Sequence, residues 1–158
     1  MNKDLQIAKK TVQTEIQALK KLSLSFNRTS YFSNAVNMLS KMKGKCLVIG
    51  VGKSYLVSLK VSATLSSLGT PSVAFSANDL QHGGLGAIQK NNDVLLIFSV
   101  SGESSELNSI LRYAKRHNIL TIGVSCRATS MLLRYSTIKI LLPKVVEAGH
   151  SLAPTSSS

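Results

Sequence analysis

Asp93-Val94-Leu95-Leu96-Ile97-Phe98-Ser99-Val100-Ser101-Gly102-Glu103-Ser104-Ser105-Glu106-Leu107 passes from a hydrophobic run through a hydroxyl-rich turn into a helical pattern. Asp93 to Phe98 reads as a strand buried on both faces, because its apolar residues run on without alternation. Leu107, Ile110, Leu111 and Ala114 recur at helical spacing and form the inward face of the helix that follows. Between them, Ser99, Ser101 and Ser104 place three hydroxyls around Gly102, next to the unpaired N–H groups of a helix N-terminus. Hydroxyls and N–H donors at such a point make a cradle for a phosphate. Glu103 and Glu106 lie within about one turn of it, close enough to act on whatever the phosphate anchors. That pairing suits a sugar phosphate better than a nucleotide. Ser101 also fits a helix N-cap, with the glutamates complementing the dipole.

Working outward, the same alternation of short apolar strands and helices repeats. Cys46 to Ile49 is a buried strand that stops at Gly50, and Val57, Val61 and Leu65 follow at helical spacing until Gly69-Thr70-Pro71. Ser72 to Phe75, Ile119 to Val124 and Ile138 to Leu142 supply three more strands, with a short helix over Met131 to Tyr135. Upstream, Leu5, Ala8, Val12, Ile16, Leu19 and Leu22 mark an amphipathic first helix. Phe32, Val36, Leu39 and Met42 mark a second, ending near Gly44. The pattern predicts an α/β fold: a five-stranded parallel sheet covered by helices on both faces, a flavodoxin-like three-layer sandwich. Ligands of such sheets bind beyond the carboxyl ends of the strands. Gly50-Val51-Gly52, Ser99-Val100-Ser101 and Val145-Val146-Glu147 all fall there.

A chain of 158 residues has room for one domain with a real core. Its hydrophobic fraction of 44% and mean hydropathy of +0.14 exclude wholesale disorder. No apolar run approaches the roughly 18 residues of a membrane span, so no membrane partner is expected. Met1-Asn2-Lys3-Asp4 leads into a charged helix with no secretory pattern, and Cys46 and Cys126 stand apart as small buried fillers. These features predict a cytoplasmic location. The net charge is +12, but the lysines are scattered, apart from Lys9-Lys10, Lys20-Lys21 and Lys41-Lys43-Lys45. No DNA- or RNA-reading motif accompanies them, so a basic surface that draws in anions is expected rather than specific nucleic-acid recognition.

Gly50-Val51-Gly52-Lys53-Ser54 resembles two nucleotide motifs and satisfies neither. A P-loop needs glycine where Leu47 stands, and a dinucleotide fingerprint needs it where Tyr55 stands. What remains is a glycine-rich strand-to-helix turn carrying a cation and a hydroxyl. His82 sits in Gln81-His82-Gly83-Gly84-Leu85-Gly86, a glycine-rich loop from which an imidazole can reach a ligand or a neighbouring subunit. His117 reads as a solvated helix end, and His150 follows Glu147 with no other support. No zinc spacing, metalloprotease motif or serine-hydrolase elbow occurs, and neither a metal nor an organic cofactor is expected.

In their order and spacing these segments, together with Thr70-Pro71 and Leu152-Ala153-Pro154-Thr155-Ser156-Ser157, resemble the sugar isomerase (SIS) domain. The likeness is greatest to the arabinose 5-phosphate isomerases and runs from about Phe32 to Ser158. It implies one SIS domain over 1–158, with a helical extension over 1–29 and the core over 30–158. It further implies a homodimer or homotetramer with sites at subunit boundaries. The implied reaction interconverts D-arabinose 5-phosphate and D-ribulose 5-phosphate on the way to Kdo and lipopolysaccharide. Carried over by motif, Ser99, Ser101, Gly102 and Ser104 hold the phosphate, while Lys53 and Ser54 contact the sugar. Glu106, Glu147 and His82 match the acid/base and ring-opening positions.

Three departures stand out. Tyr55 replaces a small residue, Gly84 replaces the usual aspartate of the His-Gly-Asp loop, and the tract around Glu147 lacks the usual lysine, cysteine and proline. Relatives also carry terminal helices, a His-Pro-Gly-Gly loop and paired CBS domains after the point at which this sequence stops, so the core is expected to be incomplete at its C-terminal end. The alternative to an isomerase is a non-catalytic sugar-phosphate-binding module, or an inactive truncated remnant of the enzyme.

Overall fold

The computed structural model of the chain describes residues 2–26 and 30–148. They fall into two compact units, one drawing on residues 2–26 and 142–148, the other spanning Ser30–Leu141. In the first, α1 (Lys3–Phe26) buries only Ala18, and its apolar residues Leu5, Val12, Ile16 and Leu19 remain exposed. The amphipathic pattern therefore forms the expected helix without a covered stripe.

In the second unit, α2 (Tyr31–Ser40) precedes five strands: β1 (Cys46–Gly50), β2 (Ser72–Ser76), β3 (Val94–Phe98), β4 (Leu120–Ser125) and β5 (Ile138–Leu141). All adjacent pairs are parallel and the order is β2-β1-β3-β4-β5, the expected five-stranded parallel sheet. Every residue of β1 and four of five in β3 are buried, as a strand covered on both faces requires. Helix α3 (Lys53–Ser67) packs over β1 and β2, and α2 reaches β5. The opposite face carries α4 (Ala77–Gln81), α5 (Leu107–Arg116) and α6 (Met131–Tyr135). There Leu47, Ile49, Leu95 and Ile97 meet Leu80, Ile110, Leu111 and Leu132 in one apolar cluster.

Three local readings change. The face that α3 buries deepest is Ser58 and Ser62, with Val57, Val61 and Leu65 beside it and less covered. Small side chains let the helix lie close to the sheet, and Ser72 Oγ donates to the Ser62 carbonyl at 2.9 Å. The segment before β3 is more ordered than a glycine-rich loop: α4 runs to Gln81, and a 3-10 turn spans Gly84–Ala87. Cys46 is fully buried as expected, and burial together with the Asp93 carboxylate pushes its thiol up to about 12. Cys126, by contrast, is only half-buried.

At the amino edge of the sheet, β1 and β3 are tied by a polar clamp. Asp93 Oδ1 accepts the Lys45 backbone N–H at 2.9 Å. Its Oδ2 accepts Lys45 Nζ at 2.7 Å and the Gln89 N–H at 2.8 Å. Burial alone would raise the Asp93 carboxyl. The hydrogen bonds from Lys45 and Gln89, with the ammonium charge, outweigh it and hold the group below its ordinary value.

Candidate functional site

From β1 the chain steps outward to β2 and then crosses back to β3 on the other side of β1, so the switch point, where ligands of such sheets bind, lies beyond the ends of β1 and β3. The loops that follow these two strands carry most of the residues singled out above. After β1, the chain turns through Val51 and Gly52 into α3, with Ser54 N–H donating to the Val51 carbonyl at 3.0 Å. The turn needs glycine at position 50, because a Cβ there would collide with the backbone of Ser54 and Tyr55. Lys53 is exposed and Ser54 half-buried at the start of α3, where the helix dipole favours an anion.

After β3, the Ser99–Glu106 segment forms a folded loop. Helix α5 begins only at Leu107, with Glu106 at its N-cap, so Ser101 is not the helix cap. Instead the serines shape the loop itself. Ser99 Oγ accepts the Gly102 N–H at 3.0 Å and lies 3.4 Å from Ser104 Oγ, while Ser101 Oγ accepts the Glu103 N–H at 3.3 Å. Gly102 has φ +65°, and a Cβ on it would press into Ser130 and approach Ser125 Oγ at 2.8 Å. Only glycine fits that turn. Among the described residues, no hydrogen bond engages the N–H groups of Ser101, Ser104 and Ser105. The loop thus offers donors in addition to its hydroxyls, which is the chemistry a phosphate needs.

Ties to neighbouring segments, some through residues that composition and spacing did not flag, hold this loop in place. Glu103 Oε1 accepts the Met131 N–H at 3.2 Å and the Gly102 carbonyl accepts the Leu132 N–H at 3.0 Å, so α6 is clamped to the cradle. Ser125 Oγ donates to the Val100 carbonyl at 3.1 Å. Gln81 Nε2 donates to the Glu106 carbonyl, tying the end of α4 to the start of α5. His82, exposed, is the C-cap residue of that same α4. Glu106 is half-buried and its Oε2 accepts Ser105 Oγ at 3.2 Å. One signal for these ties was present in the sequence, since Gln81 is the neighbour of His82. Glu103, read as a dipole partner of α5, serves α6 instead.

The fold therefore brings Ser99, Ser101, Gly102 and Ser104 into one loop, links it to Glu106, and sets Lys53 and Ser54 on the adjoining strand end. Glu147 belongs to the other compact unit, on the segment that leaves β5. His150 and the stretch from Leu152 to Ser157 lie outside the described residues.

The sheet order, with a serine-rich loop and a glycine-rich turn following adjacent strands β3 and β1, defines the class: a doubly wound α/β domain. Within that class, the chain belongs to the SIS domain family, whose model matches residues 38–158. It is 34% identical over 154 residues to the arabinose 5-phosphate isomerase KdsD of Yersinia pestis, covering 97% of this chain and 46% of that protein. An uncharacterised protein of Rickettsia prowazekii is 33% identical over 152 residues, 96% of this chain and 47% of its own length. The chain thus spans about half the length of these curated relatives. Among solved structures, a protein of E. coli CFT073 in complex with arabinose 5-phosphate superposes with a TM-score of 0.90 at 31% identity, covering 99% of this chain and 84% of that one. The expected fold is the observed one, and the protein is a SIS domain similar to sugar-phosphate isomerases. No described helix is long and apolar enough to cross a membrane.

Proposed function

We propose that this chain isomerises D-arabinose 5-phosphate and D-ribulose 5-phosphate, with Glu106 as the proton-transferring base. The observation that supports this most is the continuity of the Ser99–Glu106 loop. The same short segment offers phosphate donors and, at its helical end, a carboxylate whose backbone is fixed by Gln81. The similarity to KdsD and to the sugar-phosphate complex supports the choice of sugar.

In this reading the phosphate sits on the N–H groups and hydroxyls of Ser101 and Ser104, with Ser99 and Gly102 shaping the turn. Ser54 contacts the sugar, and His82 assists opening of the sugar ring. Glu106 removes the proton from C2 of the open aldose. The released electron pair forms the C1–C2 double bond of an enediolate, and the carbonyl oxygen on C1 takes up the charge. The Lys53 ammonium stabilises that oxyanion electrostatically. Return of the proton to C1, with transfer of the hydroxyl proton between O2 and O1, gives the ketose with no net oxidation. Glu147 is a second candidate for the proton transfer. The residues 1–158 act as one SIS domain with a helical extension over 1–29, in a homodimer or homotetramer. The exposed apolar residues of α1 supply surface for such assembly. The product class feeds Kdo and hence lipopolysaccharide, a cytoplasmic step.

The test is an NMR assay in D2O with arabinose 5-phosphate, following ribulose 5-phosphate and deuterium at C2. Wild-type chain should show both, and Glu106→Gln should lower turnover by about 10²–10⁴-fold with sugar-phosphate binding retained. Binding without turnover or exchange in the wild type would identify a non-catalytic sugar-phosphate module.

A further inference from the structure

The amino edge of the sheet, opposite the serine loop, bears an open cavity of about 770 Å³ between α2 and the starts of β3, β4 and β5. That is the size range of small-molecule sites. Three exposed lysines, Lys41, Lys43 and Lys90, stand on its rim. Its one carboxylate, Asp93, is 2% exposed and already consumed by Lys45 and Gln89. Among the described residues, none of the three rim ammonium groups pairs with a carboxylate. Lys90 Nζ has only a loose contact, 5.8 Å from the centre of the Tyr113 ring.

Surface lysines commonly offset helix carbonyl ends, and α2 and α5 both finish here. Two such ends amount to about one negative charge, which leaves about two of the three positive charges uncompensated. The remaining lining is specific in kind. Asn34, Asn37, Asn91, Asn92 and Asn118 are among its lining residues, and among the described residues no intramolecular hydrogen bond occupies their side chains. Met38 and Ile138 floor it beside Leu120, which is 44% exposed at the first position of β4. An apolar floor, uncommitted amides and an excess of ammonium charge match a ligand with a flat ring, polar ring edges and at least two negative charges.

We propose that this cavity is a second ligand site, separate from the serine loop, that takes a nucleoside diphosphate. The ring lies on Met38 and Leu120, its polar edges meet the asparagine amides, and the diphosphate is held by Lys41, Lys43 and Lys90. Binding at the amino edge places this ligand at the starts of β3 and β4, while the serine loop follows the other end of β3.

The test is calorimetric titration of the full chain with ADP at low salt. It is repeated with Lys41→Gln/Lys43→Gln/Lys90→Gln and with a charge-matched control, Lys60→Gln/Arg112→Gln/Arg134→Gln, three residues of the same compact unit that do not line the cavity. The groove variant should weaken ADP binding by about tenfold or more. The control should change it by no more than about twofold, since its charges lie elsewhere and are screened. Saturating arabinose 5-phosphate should leave ADP binding unchanged. Absence of ADP binding, equal losses in both variants, or displacement by the sugar phosphate would each overturn the proposal. None of these outcomes bears on whether the serine loop isomerises sugars.

Discussion

Strands β1 and β3 start in one polar arrangement and end in another. At their starts, Lys45 and Asp93 form a clamp whose two carboxylate oxygens accept three hydrogen bonds. At their ends, the turn into α3 exposes Lys53, and the serine loop keeps N–H groups of Ser101, Ser104 and Ser105 outside the internal hydrogen-bond network. The clamp contributes to stability because each of its buried groups is satisfied. The loop contributes less, and for that reason retains donors for a ligand. Along the same two strands, Lys45 and Asp93 spend their hydrogen-bonding groups on each other and on Gln89, whereas the serine loop leaves donors open.

Asp93→Ala should show the largest effect. It leaves two backbone N–H groups without their acceptor and the Lys45 ammonium with the Ala87 carbonyl alone, costing about 3 kcal/mol, readable as a fall in the urea midpoint. The same carboxylate gives a pH signature. Its folded pKa lies below the unfolded one, so its stabilisation is present above about pH 4 and drains away as pH falls through the folded value. Asp93→Asn should flatten the acid limb of stability against pH. A loss under about 1 kcal/mol for Asp93→Ala would erase the contrast between the two ends.

Gly102→Ala comes next. Its new methyl meets Ser130 and Ser125 at a positive φ, so stability should fall by about 2 kcal/mol and arabinose 5-phosphate binding should fail with it. Ser101→Ala should be the mildest, within about 0.5 kcal/mol of wild type on unfolding. Loss of one hydrogen bond should still weaken sugar-phosphate binding by about fivefold in a titration. A stability loss with unchanged binding would reverse the role assigned to this serine.

The strands were legible because burial on both faces leaves continuous apolar runs, and Met131–Tyr135 was legible as the short helix between two of them. Helix α4 was not, since its five residues bury only Ala77 and Leu80 before two glycines interrupt any period. The serine-rich turn reads as the start of α5 in sequence, because serine is a common N-cap and sequence does not report the positive φ of Gly102. Ser58 and Ser62 escape notice as the packed face of α3, since a hydropathy pattern seeks apolar residues where close approach selects small ones. The clamp joins residues 48 apart, beyond any local pattern. The serine loop could be read because its residues are contiguous. Gln81 and Glu103 act through backbone groups of distant segments, which no spacing encodes.

A sheet ordered β2-β1-β3-β4-β5 with every pair parallel has no hairpin from which to zip. Each pairing waits for an intervening crossover, and the loop-closure entropy must be met before the contact rewards it. During synthesis at about 5–20 residues per second, Lys45 is made roughly 2–10 s before Asp93 exists to receive it. Over that interval the apolar β1 has no partner on its β3 side. The two loops of the candidate site ride on the far ends of these strands, and the same late event brings them side by side.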